Sequence, residues 1–206
     1  MTESALAETV CARICHDLSS PVGALVNGID LIREITPEGG AGELGMIIQT
    51  ADRAAALLKF HRLAFGAVAD PAASLRRTEL RERIETATSS PRVSLGWSAL
   101  EGPPVTLPVA RLTCLLVLAA RRCLGLAGAL KVVLPARDTL PVSVIAEGDR
   151  ASISADQRRW LASDHDRPPD SREVEFALLP PAARAAGARI VLSEGERQIA
   201  LRAVGI

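Results

Sequence analysis

The sequence predicts an α+β protein in two parts, an N-terminal antiparallel helical hairpin at 1–68 and a C-terminal sandwich of helices and sheet at 75–206. Two observations support this prediction. Apolar residues recur at alternating steps of four and three through the first part, which is the heptad periodicity of paired helices. In the second part, short β-branched runs alternate with helical patterns, which is typical of helices packed on one face of a sheet.

Each helix of the predicted hairpin carries one row of apolar residues at heptad spacing. The first heptad row consists of Cys11, Cys15, Leu18, Val22, Leu25, Ile29 and Ile32. A break at Thr36–Gly40 precedes the second heptad row, which consists of Leu44, Ile48, Ala51, Ala55, Leu58, Arg62 and Phe65. Helices of this length extend about 40 Å at 1.5 Å per residue. Because a short loop joins them, they must run antiparallel.

The apolar faces of the hairpin are wider than one partner helix can cover. The residues that widen them are Leu6, Val10, Ile14, Leu31, Ile47 and Leu57. Burial of apolar surface stabilises by roughly 25 cal/mol per Å², so the uncovered remainder favours association with another surface. A second copy related by a two-fold axis is the simplest such surface. We therefore expect a homodimer in which two hairpins form a four-helix bundle.

The remainder of the chain alternates between helical and strand patterns after a connector at 67–74. We predict helices at 78–86, 108–126, 154–162 and 176–186, the last interrupted by Pro180–Pro181, and strands at 92–97, 131–134, 141–146, 189–192 and 198–203. The helix at 108–126 is apolar nearly all round, which predicts that it is buried.

Composition excludes several classes of function. Lys plus Arg and Asp plus Glu both number 24, and aromatic residues make up only 2% of the chain. This disfavours a nucleic-acid binder that tracks phosphates or stacks bases. Four cysteines in 206 residues do not form a disulfide framework and indicate free, buried thiols in a reducing compartment. No signal peptide or bilayer-spanning segment is visible, so we expect a cytoplasmic protein.

The candidate chemistry lies in the first helix, at His16-Asp-Leu-Ser-Ser-Pro21. If Cys15 and Leu18 occupy the first heptad row, His16 points to solvent, where its imidazole can act as a nucleophile towards an activated phosphoryl group. Pro21 costs a helix interior about 3 kcal/mol. Its presence one turn from an exposed histidine indicates a functional kink.

Residues three or four positions from His16 share its face of the helix. Small or uncharged residues make this face flat enough for another helix to dock closely, and we take Thr9, Gly23 and Asn27 as partner-docking candidates. Arg13 is a candidate for neutralising a phosphoryl group. Asp17, about 100° further round the helix, can orient the ring from the side. Ser20 completes the candidate catalytic set.

This motif resembles the phospho-acceptor box of bacterial two-component histidine kinases. The resemblance implies a dimerising hairpin followed by an ATP-binding domain of the Bergerat type. The second domain departs from the kinase pattern in three places. There is no Asn at 112–124, the stretch 146–150 does not match Asp-x-Gly-x-Gly, and 178–187 lacks Gly-x-Gly. Without a Mg²⁺ ligand or a phosphate-cradling loop, we expect a degenerate ATPase-like domain that does not bind nucleotide.

A phospho-acceptor hairpin joined to such a domain resembles the ChpT-type histidine phosphotransferases of bacterial phosphorelays. The resemblance implies that His16 takes a phosphoryl group from a receiver-domain aspartate of a hybrid histidine kinase and passes it to a response regulator. It also implies that the partner receiver domain supplies Mg²⁺ and that this chain has no cofactor of its own. Two alternatives remain, namely an ATP-dependent sensor kinase core and a non-catalytic adaptor that binds receiver domains.

Two further histidine or cysteine features have simpler interpretations. A metal site at Cys11, Cys15 and His16 is disfavoured, because both thiols fall on the first heptad row and a closed tetrahedral site needs four ligands. His61, which flanks the second heptad row, is interpreted as a residue of the helix surface.

Overall fold

The computed structural model describes residues 3–34, 41–136, 140–165 and 167–206. The chain begins with two long helices, α1 (Glu3–Glu34) and α2 (Ala41–Phe65). Gly28 of α1 lies against Ile47 of α2, and Asp17 lies against His61. This order of contacts is antiparallel, as the periodicity predicted. The predicted break at 36–40 lies outside the described residues.

Much of the first and second heptad rows is open to solvent in the single chain. Among the described residues of the hairpin, the large apolar side chains that are exposed are Val22, Val26, Ile29, Leu31, Leu44, Met46, Ile48 and Leu58. Cys11 and Cys15 are also exposed, whereas Cys114 and Cys123 are buried. The prediction of buried thiols is therefore wrong for Cys11 and Cys15 in this chain, because no described residue covers their face of α1.

The described residues of the C-terminal part form a five-stranded sheet, a two-stranded ribbon and four helices. The strands are β1 (Ser74–Leu75), β2 (Val93–Ser98), β3 (Val105–Thr106), β4 (Gly128–Val133), β5 (Val142–Glu147), β6 (Ala188–Gly195) and β7 (Gln198–Gly205). The helices are α3 (Arg77–Thr88), α4 (Leu107–Cys123), α5 (Ala155–Leu161) and α6 (Val174–Ala185). The large sheet has the order β2-β4-β5-β7-β6. Its β2–β4 pair is parallel and its other pairs are antiparallel. The ribbon of β1 and β3 has no counterpart in the sequence prediction.

Helix α4 forms the centre of the core, as its all-round apolar pattern predicted. Leu112, Leu115 and Leu116 are completely buried, and the helix contacts β5, β7 and α6. Helix α6 continues through Pro180–Pro181, so the predicted interruption is wrong. Buried side chains of this helix, such as Phe176, are each worth roughly 1.5–3 kcal/mol and offset the backbone cost of proline.

The C-terminal end of α2 belongs to the same core. Phe60 and Ala64 are buried within it, and the Nε of Arg111 in α4 donates a hydrogen bond to the Ala64 carbonyl oxygen at 3.2 Å. Helix α2 also contacts α3. Its contacts with α3 and α4 together fix the position of the hairpin relative to the sheet. No helix in the described ranges combines the length and apolarity that a membrane crossing requires.

Candidate functional site

His16 lies near the middle of α1 with its side chain 83% exposed, as predicted from its position beside the first heptad row. Its ring makes one hydrogen bond within the described part of the chain, between Nδ1 and Asp17 Oδ1 at 3.2 Å. An ionised carboxylate can only accept, so Nδ1 carries the proton in this pairing. The lone pair of Nε2 is then directed into solvent, where an incoming group can reach it.

Asp17 is held through its second oxygen by two donors from different helices. Arg13 Nε donates to Asp17 Oδ2 at 2.8 Å, and His61 Nε2 lies 3.3 Å from the same oxygen. Burial alone would raise the pKa of Asp17, but the hydrogen bonds from His61, Arg13 and His16 hold it well below its usual value. The carboxylate is therefore ionised at neutral pH, as the pairing with His16 requires.

Arg13 links α1 to the C-terminal part of the chain. Its side chain is only 11% exposed, and one Nη1 lies 2.7 Å from Glu175 Oε1 of α6. The same nitrogen donates to the Ser171 carbonyl oxygen at 3.2 Å. Because Nε is bound to Asp17 and Nη1 to the C-terminal domain, these two nitrogens of Arg13 contact His16 only through Asp17. A direct role of Arg13 towards a phosphoryl group stays a prediction.

Glu175, the C-terminal partner of Arg13, is completely buried. Burial raises the pKa of its carboxyl group to about 7, and the attraction of Arg13 offsets only part of this effect. The Nε of Arg122 lies further away, 3.7 Å from Glu175 Oε1. The carboxyl group of Glu175 is thus connected to His16 through two intervening side chains. Glu175 contacts Arg13, Arg13 contacts Asp17, and Asp17 contacts His16.

His61 is the site residue that the sequence analysis missed, and its interpretation as a surface residue is wrong. Its side chain is 2% exposed, and its ring lies between Phe60 and Phe65, with centroid distances of 5.9 and 5.6 Å. The buried face of α2 near its end consists of Phe60, His61 and Ala64, whereas Leu58 of the second heptad row is exposed. If the buried face of α2 had been defined by Phe60 instead of Leu58, His61 would have been predicted to be buried.

A cleft of about 220 Å³ opens beside Asp17 and His61, between the hairpin and the C-terminal domain. Its charged lining includes Arg13, Arg53 and Arg121, against the single carboxylate of Asp17. Burial and the neighbouring guanidinium groups of Arg13 and Arg53 lower the pKa of Arg121. The cleft next to α1 is therefore electropositive.

The predicted docking residues fall into two groups. Gly23 and Asn27 are exposed on α1, as is the candidate catalytic residue Ser20, and a Cβ at Gly23 would meet nothing within 4 Å in the described structure. The Oγ1 hydroxyl of Thr9, in contrast, lies within hydrogen-bonding distance of two carbonyl oxygens of the same chain, that of Ala5 at 2.9 Å and that of Pro169 at 3.1 Å. A loop of the C-terminal domain therefore already contacts Thr9, and a role of Thr9 in partner docking stays a prediction.

A family model described as "Histidine phosphotransferase C-terminal domain" matches residues 77–198, more than half of the chain. The chain belongs to this histidine phosphotransferase family. A curated relative is the protein phosphotransferase ChpT of Brucella abortus (strain 2308), which is 34% identical over 144 residues. The match covers 68% of this chain and 66% of that relative, so it spans just under two thirds of the relative's length.

One solved structure supports the fold of this histidine phosphotransferase family member. A bacterial phosphotransferase superimposes with a TM-score of 0.77 at 23% identity, over 98% of this chain and 97% of the other. The Acinetobacter baumannii histidine kinase AdeS aligns at a TM-score of 0.47 and 12% identity, over 91% of this chain and 95% of that one. The α+β class, with a helical hairpin before an α/β domain, is confirmed.

Proposed function

We propose that this chain is the histidine phosphotransferase of a phosphorelay and that His16 carries the phosphoryl group. The observation that supports this most directly is the state of the His16 imidazole. Its ring is 83% exposed, its Nδ1 is bound to Asp17, and its Nε2 is free to react. The family relationship supports the same chemistry, since residues 77–198 match the histidine phosphotransferase family model and a curated relative is a protein phosphotransferase.

The reaction is an in-line displacement at phosphorus. The Nε2 lone pair attacks the acyl phosphate of a receiver-domain aspartate, the P–O bond to that aspartate breaks, and the aspartate leaves as a carboxylate. The ring now has a phosphoryl group on Nε2 and a proton on Nδ1, so it bears a positive charge. The adjacent Asp17 carboxylate stabilises this charge. Attack by the carboxylate of a second receiver domain reverses these steps. Most of the catalysis is therefore alignment.

The proposed partners are the receiver domains of a hybrid histidine kinase and of a response regulator. The exposed strip of Ser20, Gly23 and Asn27 offers close approach next to His16. We assign Mg²⁺ to the partner receiver domain, whose acyl phosphate requires charge neutralisation during transfer. The four free cysteines favour a reducing compartment, so we place this relay in the cytoplasm.

We also propose that the protein acts as a homodimer with a four-helix bundle. Val22, Val26 and Ile29 of α1 and Leu44 and Ile48 of α2 are exposed in the single chain. A contiguous apolar surface of this kind marks an interaction site. A second hairpin fits it because two-fold symmetry pairs the same heptad rows with each other.

The test is phosphotransfer from a ³²P-labelled receiver domain to the wild-type chain, to His16→Gln and to His165→Gln. His165 stacks on Trp160 with a centroid distance of 4.1 Å and lies outside the site, so its substitution controls for loss of an imidazole. We expect acid-labile label on the wild type and on His165→Gln, and none on His16→Gln. Label retained by His16→Gln would overturn the proposal, and label acquired from ATP alone would favour a kinase.

A further inference from the structure

His61 is a buried imidazole for which the phosphotransfer steps above assign no role. Burying a polar ring is unfavourable unless its nitrogens find partners. Only one nitrogen does so among the described residues, because Nε2 meets Asp17 Oδ2 at 3.3 Å and Nδ1 has no hydrogen-bond partner. The contact with Asp17 is therefore the polar interaction that explains a histidine at this position.

The direction of this hydrogen bond follows from the state of Asp17. That carboxylate is ionised, because its hydrogen bonds keep its pKa low despite burial, and it can only accept. His61 must therefore carry hydrogen on Nε2 and donate it. Its Nδ1 is enclosed near the rings of Phe60 and Phe65 and has no hydrogen-bond partner among the described residues.

A second donor is needed because Arg13 alone cannot fix the carboxylate. Arg13 and Asp17 are four residues apart on the same helix, and one hydrogen bond constrains a distance but leaves the carboxylate free to rotate. His61 approaches the same oxygen from α2. With Oδ2 held from two elements, Oδ1 remains directed at Nδ1 of His16, 3.2 Å away.

We propose that His61 is a positioning residue for His16. By holding Asp17 Oδ2, it keeps Asp17 Oδ1 on the His16 Nδ1–H, which fixes the tautomer and the orientation of the phospho-acceptor ring and leaves Nε2 as the nucleophile. The expected effect of His61 on the rate of phosphotransfer rests on the proposed function. Its expected effect on the tautomer of His16 does not, so the positioning role and the proposed function can be tested separately.

The test compares the wild type with His61→Gln and His61→Leu. The amide nitrogen of Gln can replace the Nε2–H donor, whereas Leu has a similar volume and no donor. The chain contains three histidines, so ¹⁵N-histidine labelling gives three ring spectra that single substitutions assign. The tautomer of His16 is read from its ¹⁵N shifts, and the rate of phosphotransfer is measured in single turnover.

We expect a predominantly Nδ1–H tautomer for His16 in the wild type and in His61→Gln, with similar transfer rates, because the Gln amide can replace the donor. In His61→Leu, the tautomer should shift towards Nε2–H and the rate should fall about 10- to 100-fold, as on loss of other groups that orient an imidazole.

A wild-type spectrum dominated by Nε2–H of His16 would overturn the proposal, and it requires no variant to fold. So would a folded His61→Leu protein with an unchanged tautomer and rate. If the wild type accepted no phosphoryl group but showed the Nδ1–H tautomer and its loss in His61→Leu, the proposed function would fail while the positioning role would stand.

Discussion

Replacing Glu175 by Gln should change how the stability of this protein depends on pH. Glu175 is completely buried, and burial raises the pKa of its carboxyl group from 4.5 to about 7. The folded state therefore binds the carboxyl proton more tightly than the unfolded state does. Between these two values the folded state holds more protons, so the free energy of unfolding decreases as the pH rises.

The size of the effect follows from the shift in pKa. A rise from 4.5 to about 7, at 1.36 kcal/mol per pKa unit, corresponds to about 3 kcal/mol. Gln resembles the protonated carboxyl group and does not titrate. The free energy of unfolding of Glu175→Gln relative to wild type should therefore rise by about 3 kcal/mol between pH 4.5 and pH 7.5.

Urea unfolding, followed by circular dichroism at several pH values, measures this difference. The control is Glu85→Gln, because Glu85 forms a partly exposed pair with Arg81 at 2.8 Å and surface pairs contribute about 0–1 kcal/mol. Equal pH slopes for the wild type and Glu175→Gln would refute the reasoning, since they would show that burial does not favour the protonated carboxyl group.

Two further substitutions test the hairpin surface and the core. Ile48→Glu places a charge on the exposed apolar face of α2, and we expect it to convert the proposed dimer into a monomer in light scattering. Gln49→Glu, which adds the same charge on the side facing Arg53 and Glu85, should stay dimeric. Leu116→Ala opens a cavity at a fully buried position of α4 and should cost about 2–5 kcal/mol in urea unfolding.

The outcomes that contradict these two predictions are distinct. A monomeric wild type, or a dimer unaffected by Ile48→Glu, would exclude the exposed face of α2 from a dimer interface. Leu126→Ala serves as the control for the core, because Leu126 is an exposed residue where truncation should stay within about 0.5 kcal/mol. Equal losses for Leu116→Ala and Leu126→Ala would mean that α4 is not the centre of the core.

Local periodicity predicted the existence and type of the helices and of the large-sheet strands. It failed at Pro180–Pro181, where the burial of α6 in the core outweighs the local preference of proline to end a helix. It also failed for the two-residue strands β1 and β3. Elements this short carry no periodicity, and they form because the tertiary fold brings their backbones together.

The exposure of His16 could be predicted from the sequence, since a residue beside an apolar heptad row faces away from it. The face of α2 that is buried could not be predicted in this way. Leu57 and Leu58 are adjacent, and both faces of the helix are apolar enough to pack. The contacts of α2 with α3 and α4 select the face that contains Phe60 and His61.

The amino-acid sequence alone determined the two long helices, the exposed imidazole on the first of them and the absence of nucleotide-binding motifs, because each depends on spacing within one segment. Only the tertiary structure decided what surrounds that imidazole. Asp17 is held by His61 from α2, and Arg13 is held by Glu175 from α6. These partners lie far apart along the chain, and only packing of the hairpin against the C-terminal domain brings their charges within hydrogen-bonding distance.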